Sequence, residues 1–307
     1  MDNATLLVSP APHVRQKADT RSIMLDVIIA MLPALVASVI IFGYRSLVVV
    51  SVSVICCVLF EYLFQKLCKK TVTVTDLSAV VTGILLAFNL PVSIPLWQVV
   101  FGALVAIVAV KQLFGGIGKN FANPAITARI VMLISFAGTM TKFMSPVDAT
   151  STATPLAQMG TENMPSLLAL FLGKHGGSLG ETCALALIIG FVYLLARRVI
   201  TWHTTVAFVG SVALLALAFG ENPLEHMLTG GLLLGAIFMA TDYSTSPSTK
   251  WGKVVFGLGC GIITILIRVF GGYPEGVSFA ILFMNILTPY ISMWTRRKIF
   301  GGVKNEK

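Results

Sequence analysis

Charged residues are scarce in this sequence. They make up 11% of its 307 residues, whereas 56% of the residues are hydrophobic, and a soluble domain has about 25% charged residues. This composition excludes an ordinary water-soluble fold and indicates a polytopic membrane protein. The net charge of +9 does not indicate nucleic-acid binding. The basic residues lie in small groups at the ends of apolar runs, as residues that orient a membrane protein do.

Cysteine is scarce too, and no pair has CxxC spacing. The five cysteines are Cys56, Cys57, Cys68, Cys183 and Cys260. Four lie within or beside apolar runs, so we expect buried thiols, and neither a metal site nor an iron–sulfur cluster held by this chain alone. The first twenty residues are polar and precede a run as long as a full span, so we expect no cleavable signal peptide.

Motifs for catalysis by the chain alone are also missing. No nucleophile–base pair stands out, so we expect no catalytic residue. The glycines after the fourth apolar run, Gly115, Gly116 and Gly118, are not followed by the Gly-Lys-Ser/Thr of a P-loop. We interpret them as a helix break with close packing.

Apolar runs predict an all-α membrane fold with about ten transmembrane helices. The predicted spans are 23–42, 47–67, 77–88, 96–113, 124–137, 182–196, 204–219, 228–239, 254–267 and 277–294. The third and eighth are short, and need tilt, thinning or burial to serve as helices. A long polar loop, about 138–180, separates the fifth and sixth spans. Its apolar segment Leu167–Leu172 predicts an interfacial helix.

The basic residues predict an orientation. Ten spans place most lysines and arginines on one face, which the positive-inside rule assigns to the cytoplasm. The other face carries little more than Arg45, Lys142, Lys174 and Arg268. We therefore expect both termini in the cytoplasm, the spans in membrane lipid, and the long loop outside the cytoplasm.

Two short similarities suggest an internal repeat. Residues 82–86 resemble residues 229–233, and residues 114–116 resemble residues 270–272. The offset is five spans, so the two five-helix halves would run in opposite senses, as in many transporters. The expected organisation is a basic arm, a first repeat, a loop, a second repeat and a tail, at 1–21, 22–138, 139–180, 181–295 and 296–307.

The long loop carries the most specific motif. Asp148, Ser151, Ala153 and Thr154 stand in the pattern Asp-x-x-Ser-x-Ala-Thr. This pattern resembles the signature that a flavin transferase recognises when it moves FMN from FAD onto a threonine hydroxyl. Such chemistry needs an exposed hydroxyl as nucleophile, a nearby acid and small neighbours. The motif therefore predicts FMN bound covalently to Thr154 through its phosphate.

Nearly the whole chain resembles the D-subunit family of Rnf electron-transport complexes and, more broadly, the B subunit of the sodium-pumping NADH:quinone reductase. The segments that carry the resemblance are 9–15, 82–91, 114–129, 151–157 and 240–247. The resemblance implies a subunit of an ion pump that moves electrons between ferredoxin and NAD, coupled to Na⁺ or H⁺ transport. It also implies iron–sulfur subunits and a second covalent-flavin subunit as partners, and a flavin transferase for maturation. The location that it implies is the inner membrane of a bacterial cell. A B-type reductase subunit and a small-solute or ion transporter are the alternatives.

Charged residues within or beside the spans are further candidates. Arg129 lies inside the fifth span, where it either forms a structural ion pair or provides positive charge to a flavin. Asp26 and Glu61 either reach the membrane interface or pair with Arg129. The hydroxyl-rich stretch 241–249 is a candidate for part of a second, non-covalent flavin site.

Overall fold

The computed structural model describes residues 19–144, 151–152, 154–159, 164–271 and 276–296. Most of the predicted basic arm and of the C-terminal tail lies outside these residues.

The described chain is mostly helical. Its α-helices are α1 Thr20–Phe42, α2 Tyr44–Leu67, α3 Ser78–Phe88, α4 Leu96–Leu104, α5 Pro124–Ser135, α6 Ala137–Met140, α7 Leu167–Leu172, α8 Ala184–Ala196, α9 Trp202–Ala218, α10 Pro223–Leu228, α11 Leu232–Leu234, α12 Lys250–Phe270 and α13 Val277–Trp294. Two π-helical segments continue α4 and α11, at Val105–Gln112 and Gly235–Met239. Two 3₁₀ turns lie at Val74–Asp76 and Pro155–Gln158.

Two short strands depart from the all-α prediction. Strand β1, Phe143–Met144, pairs antiparallel with β2, Ser151–Thr152, so that Phe143 lies opposite Thr152. The pair lies in the first part of the long loop, and β2 ends two residues before Thr154.

The helix lengths agree with a membrane protein. Within the described part of the chain, α1, α2, α12 and α13 are long and apolar enough to cross a membrane, and α3, α4 with its π-helical segment, α5, α8 and α9 are shorter apolar helices. Each of the ten predicted spans contains helix, and the predicted interfacial helix is α7. The chain is therefore a mostly helical, multi-pass membrane protein.

Local sequence explains several helix starts. Asn123 caps α5, since its side-chain oxygen accepts hydrogen bonds from Ala125 N at 3.0 Å and Ile126 N at 3.3 Å. Pro124 follows at the first helical position, where a missing N–H costs nothing. Thr249 caps α12 in the same way, by accepting from Gly252 N at 3.0 Å.

Helix packing joins the two halves of the chain. Helices α2 and α3 pack together in the first half, and α9, α12 and α13 in the second. Contacts between α1 and α8 and between α5 and α13 connect the halves. The loop before α8 adds two backbone hydrogen bonds to the end of α3, Leu179 N to Leu90 O at 3.0 Å and Gly180 N to Phe88 O at 2.9 Å.

Candidate functional site: the Thr154 turn and a buried arginine

Thr154 stands at the start of the 3₁₀ turn Pro155–Gln158. Its extended backbone begins the turn, and its carbonyl oxygen accepts a hydrogen bond from Ala157 N at 2.9 Å. Its side chain is 6% exposed, and among the described residues its hydroxyl oxygen has no hydrogen-bond partner. We expected an exposed hydroxyl; the structure instead buries it. An unpartnered buried hydroxyl is uncommon in folded proteins.

The turn packs against the break between α10 and α11. Gly230 and Gly231 both have left-handed backbone conformations, with φ of 64° and 66°, which glycine adopts without strain. A methyl group placed on Gly230 would lie 2.7 Å from Arg268 Nη2 and 3.0 Å from Leu156 Cδ2. The Leu156 side chain, two residues from Thr154, and the Arg268 guanidinium are therefore close neighbours.

Arg268, near the end of α12, holds this break together. Its Nη1 donates to the carbonyl oxygen of His226 at 2.7 Å, and its Nη2 to those of Thr229 at 3.0 Å and Gly230 at 3.3 Å. Its Nε is buried and has no partner within the described ranges. One N–H of a permanently charged group is thus left available beside the Thr154 turn.

Glu181 supplies a counter-charge to two arginines. Its Oε1 accepts from Ser178 N at 2.9 Å, and a methyl group on Gly231 would lie 2.7 Å from its Oε2. The carboxylate attracts both Arg268 and Arg129. This residue therefore links the loop before α8 to the break before α11.

Unsatisfied buried polar atoms are concentrated at this end of the bundle. Of the seven in the described residues, five lie here: Thr154 Oγ1, His175 Nε2, Ser178 Oγ, His226 Nδ1 and Arg268 Nε. Folded proteins leave few such atoms. The concentration therefore marks a polar region beside the Thr154 turn.

The predicted site residues are only partly brought together. Asp148 and Ala153 lie outside the described residues, and Ser151 lies in β2. Arg129 is buried, and its Nη1 donates to Asn89 Oδ1 at 3.1 Å and to Ser278 Oγ at 2.9 Å. It thus connects α3 to α13. A second buried guanidinium, that of Arg268, lies beside the Thr154 turn.

The acidic residues of the first two spans have other partners than Arg129. Asp26 binds Arg197 through two hydrogen bonds of 3.1 and 3.2 Å. Glu61 binds Lys111 Nζ at 2.7 Å, with both side chains at most 2% exposed. The prediction that Glu61 reaches the interface is wrong, because Lys111 on the π-helical segment meets it inside the bundle.

A second candidate region lies at the other end of α12. A cavity of about 90 Å³ between the two halves is lined by polar residues that include Lys111, Asn120, Asn123, Asp242 and Ser244. Asp242 accepts hydrogen bonds from the Ser244 backbone and hydroxyl at 3.3 and 3.0 Å. Burial raises the pKa of its carboxyl, and these hydrogen bonds oppose that rise. Lys111 also donates to Ser78 Oγ at 2.6 Å.

Sequence reasoning missed Arg268, Glu181 and His226 as site residues. It counted Arg268 only as a basic residue on the less basic face. The sequence offers only a pair of glycines at 230–231, and a basic residue shortly before a second pair at 271–272. That pattern does not reveal which residues touch.

Comparison with known proteins identifies relatives over the whole chain. The family model described as the NQR2, RnfD, RnfE family matches residues 7–301. The D subunit of the Na⁺-translocating ferredoxin:NAD⁺ oxidoreductase complex of Acetobacterium woodii is 48% identical, over 100% of this chain and 99% of its own length. The D subunit of the proton-translocating ferredoxin:NAD⁺ oxidoreductase complex of Clostridium ljungdahlii is 40% identical, over 96% of each chain. The D subunit of the ion-translocating oxidoreductase complex of Escherichia fergusonii is 34% identical, over 97% of this chain and 99% of its own.

Proposed function

The chain belongs to the NQR2, RnfD, RnfE family, and we propose that it is the D subunit of a membrane complex that transfers electrons between ferredoxin and NAD⁺ and couples this transfer to Na⁺ or H⁺ transport. The full-length relatives named for such complexes support the proposal. They favour an electron-transfer subunit over a small-solute transporter and over a B-type reductase subunit. Iron–sulfur subunits and a second flavin-bearing subunit are the proposed partners.

Within this complex, Thr154 carries FMN through a phosphodiester bond. The carrying observation is the buried Thr154 hydroxyl, unpartnered among the described residues, in a loop with the flavin-transfer pattern. Attachment joins the threonine oxygen to the FMN phosphorus of FAD, and AMP leaves with the proton. Bound FMN supplies one- and two-electron redox chemistry. The residues of this chain hold its phosphate, and Asp148, Ser151 and Ala153 present the threonine to the transferase.

Burial of Thr154 adds a condition to attachment. A transferase needs access to the hydroxyl, and a side chain that is 6% exposed gives little. Transfer therefore occurs before the turn packs against Gly230, or while it is displaced.

The cavity near Asp242 is the proposed site of a second, non-covalent flavin. It lies between the halves, and its lining combines apolar side chains with a lysine, two asparagines and a carboxyl group, as the lining of a cofactor pocket does. Its volume of about 90 Å³ is below the roughly 300–1,000 Å³ of small-molecule pockets, so a flavin enters only when the lining moves apart. The proposed inverted repeat pairs the third span with the eighth, which contain the short helices α3 and α11. The Asp242 end faces the cytoplasm, and the Thr154 end faces outward.

Covalent attachment is tested by expressing the chain with a flavin transferase and imaging a denaturing gel for flavin fluorescence. We expect a fluorescent wild-type band, a dark Thr154→Ala band and a fluorescent Thr150→Ala band as the matched control. A dark wild-type band made with active transferase would defeat the flavin proposal. A fluorescent Thr154→Ala band would move the site to another residue.

The second flavin is tested on purified Thr154→Ala protein. Acid precipitation releases non-covalent flavin into the supernatant, where fluorescence measures it against the protein. We expect about one flavin per chain, and less in an added Asp242→Asn change, whose side chain lines the cavity. A supernatant without flavin would remove the second site from the proposal.

A further inference from the structure

Three observations at the Thr154 end remain without a role in the proposed function. Arg268 is a buried guanidinium with one N–H that has no partner among the described residues. Glu181 lies close enough to attract it. The Leu156 side chain of the Thr154 turn and the same guanidinium both lie against Gly230, where a methyl group would be 3.0 Å from the one and 2.7 Å from the other. Each involves a different element, and all three lie around one small region.

We propose that Arg268 is the positioning residue for the phosphodiester at Thr154, and that Glu181 holds the guanidinium charge until that phosphodiester is formed. This inference rests on the proposed attachment of FMN to Thr154. It gives Arg268 a role beside the flavin phosphate, whereas the sequence suggested Arg129 as the residue that provides positive charge to a flavin.

The hydrogen bonds of Arg268 leave its Nε–H as a donor for a phosphate oxygen. The two terminal nitrogens are occupied by three carbonyl oxygens, at 2.7 to 3.3 Å. These bonds fix the plane of the guanidinium and leave Nε as the donor without a partner in the described part of the chain. A phosphodiester oxygen is a charged acceptor, and charge-assisted hydrogen bonds are about twice as strong as neutral ones.

The charges support the same assignment. Before attachment, Thr154 is neutral, and the charge that attracts Arg268 is that of Glu181. Glu181 also attracts Arg129, so one carboxylate serves two guanidinium groups. A phosphodiester adds one negative charge beside this set. Without the phosphodiester, the two guanidinium groups and the Glu181 carboxylate carry one excess positive charge. With it, the charges balance, which favours the packed position of the turn.

The geometry predicts that attachment and stability are coupled through Arg268. The test uses wild-type, Arg268→Gln, Glu181→Gln and Arg45→Gln proteins, each made with and without flavin transferase and melted in detergent while circular dichroism is recorded. Arg45 is the matched control, because it also donates to loop carbonyls, those of Ser93 and Ile94 at 3.3 and 3.4 Å.

We expect attachment to raise the melting temperature of the wild type by roughly 2–4 °C, the effect of one good hydrogen bond in a protein of this size. The rise should persist in Arg45→Gln and disappear in Arg268→Gln. It should be larger in Glu181→Gln, where the phosphodiester replaces the lost negative charge. A purely structural Arg268 would lower the melting temperature of both forms equally and leave the rise unchanged.

Two outcomes would overturn the inference. One is an equal rise in wild type and Arg268→Gln; the other is an equal rise in wild type and Glu181→Gln. The second comparison decides the matter alone if Arg268→Gln does not fold. A dark wild-type band on the gel is a different result, since it removes the attached flavin itself and with it the proposed function.

Discussion

Buried charges in this bundle pair with opposite charges from other parts of the chain. Glu61 of α2 binds Lys111 at 2.7 Å, and Gln112 Nε2 donates to the other carboxylate oxygen at 2.9 Å. Glu61→Gln would leave the Lys111 ammonium without its counter-charge. Breaking such a pair typically costs about 3–5 kcal/mol. We expect a large fall in the midpoint of thermal unfolding in detergent.

Asp26→Asn provides the comparison for that variant. Its partner Arg197 has a side chain that is 58% exposed, and pairs in contact with solvent contribute about 0–1 kcal/mol. We expect a small fall in the unfolding midpoint. If the Glu61 and Asp26 variants had the same unfolding midpoint, the buried Glu61–Lys111 pair would contribute no more to stability than the exposed pair.

His226 gives the Thr154 end of the bundle a pH dependence. Burial lowers the pKa of its imidazole below 6.5; Arg268 acts in the same direction, and Glu221 and Glu225 oppose it. The folded protein therefore binds this proton less readily than the unfolded chain. Its contribution to stability is complete well above pH 6.5. It is lost as the pH falls below 6.5 toward the lower pKa of the folded state.

The expected result is a melting temperature that falls between pH 7.5 and pH 5.5, by less in His226→Asn than in the wild type. Melting curves in one detergent across this range measure the difference. A variant whose melting temperature falls as steeply as that of the wild type would show that His226 does not titrate differently on folding.

The sequence pointed to Thr154 because its motif is local, within seven consecutive residues. Arg268 and Glu181 are 87 residues apart and meet only because α12 and the loop before α8 converge on the α11 start. No short pattern records such a meeting. The same holds for Lys111, whose partner Glu61 is 50 positions away in the sequence, on α2.

At the scale of single helices, close packing depends on glycine at defined points. A methyl group on Gly190 of α8 would collide with the carbonyl oxygen of Ala30 on α1, whereas one on Gly210 of α9 would meet nothing within 4 Å. Because backbone cannot yield as a flexible side chain can, Gly190→Ala should separate α1 from α8. We expect a loss of about 1–3 kcal/mol, the usual result of overpacking, measured as a lower melting temperature.

Gly210→Ala is the control for helix propensity. It makes the same chemical change in an apolar helix with open space around it, so we expect a neutral or slightly stabilising effect. Equal losses in the two variants would mean that the α1–α8 contact is looser than the structure shows.

Helix positions were predictable because their causes are local. Apolar runs mark the helices, Asn123 with Pro124 marks the start of α5, and Gly115 and Gly116 mark the break after α4 with positive φ values of 113° and 92°. The π-helical segments were not predictable. Each is a change in backbone hydrogen bonding within a continuous apolar run, and it is decided by how neighbouring helices pack.

At the scale of the whole molecule, the two candidate regions lie at opposite ends of α12. This helix has 21 residues and is therefore about 30 Å long, close to the thickness of the hydrocarbon core. Thr249 caps the end near the Asp242 cavity, and Arg268 lies near the end at the Thr154 turn. If α12 spans the membrane, the two proposed flavins face different compartments, and the orientation of the chain decides which flavin meets the cytoplasm.

Cysteine labelling in whole cells tests that orientation. The native Cys68 is exposed just after α2, on the predicted cytoplasmic face, and Lys174 is exposed in the loop before α8. In a background that keeps only Cys68, we expect a membrane-impermeant maleimide to react only after the cells are opened. With Lys174→Cys as the only cysteine, it should react in intact cells. The reverse pattern would show the opposite orientation, with Thr154 on the cytoplasmic side and the Asp242 cavity on the outer side.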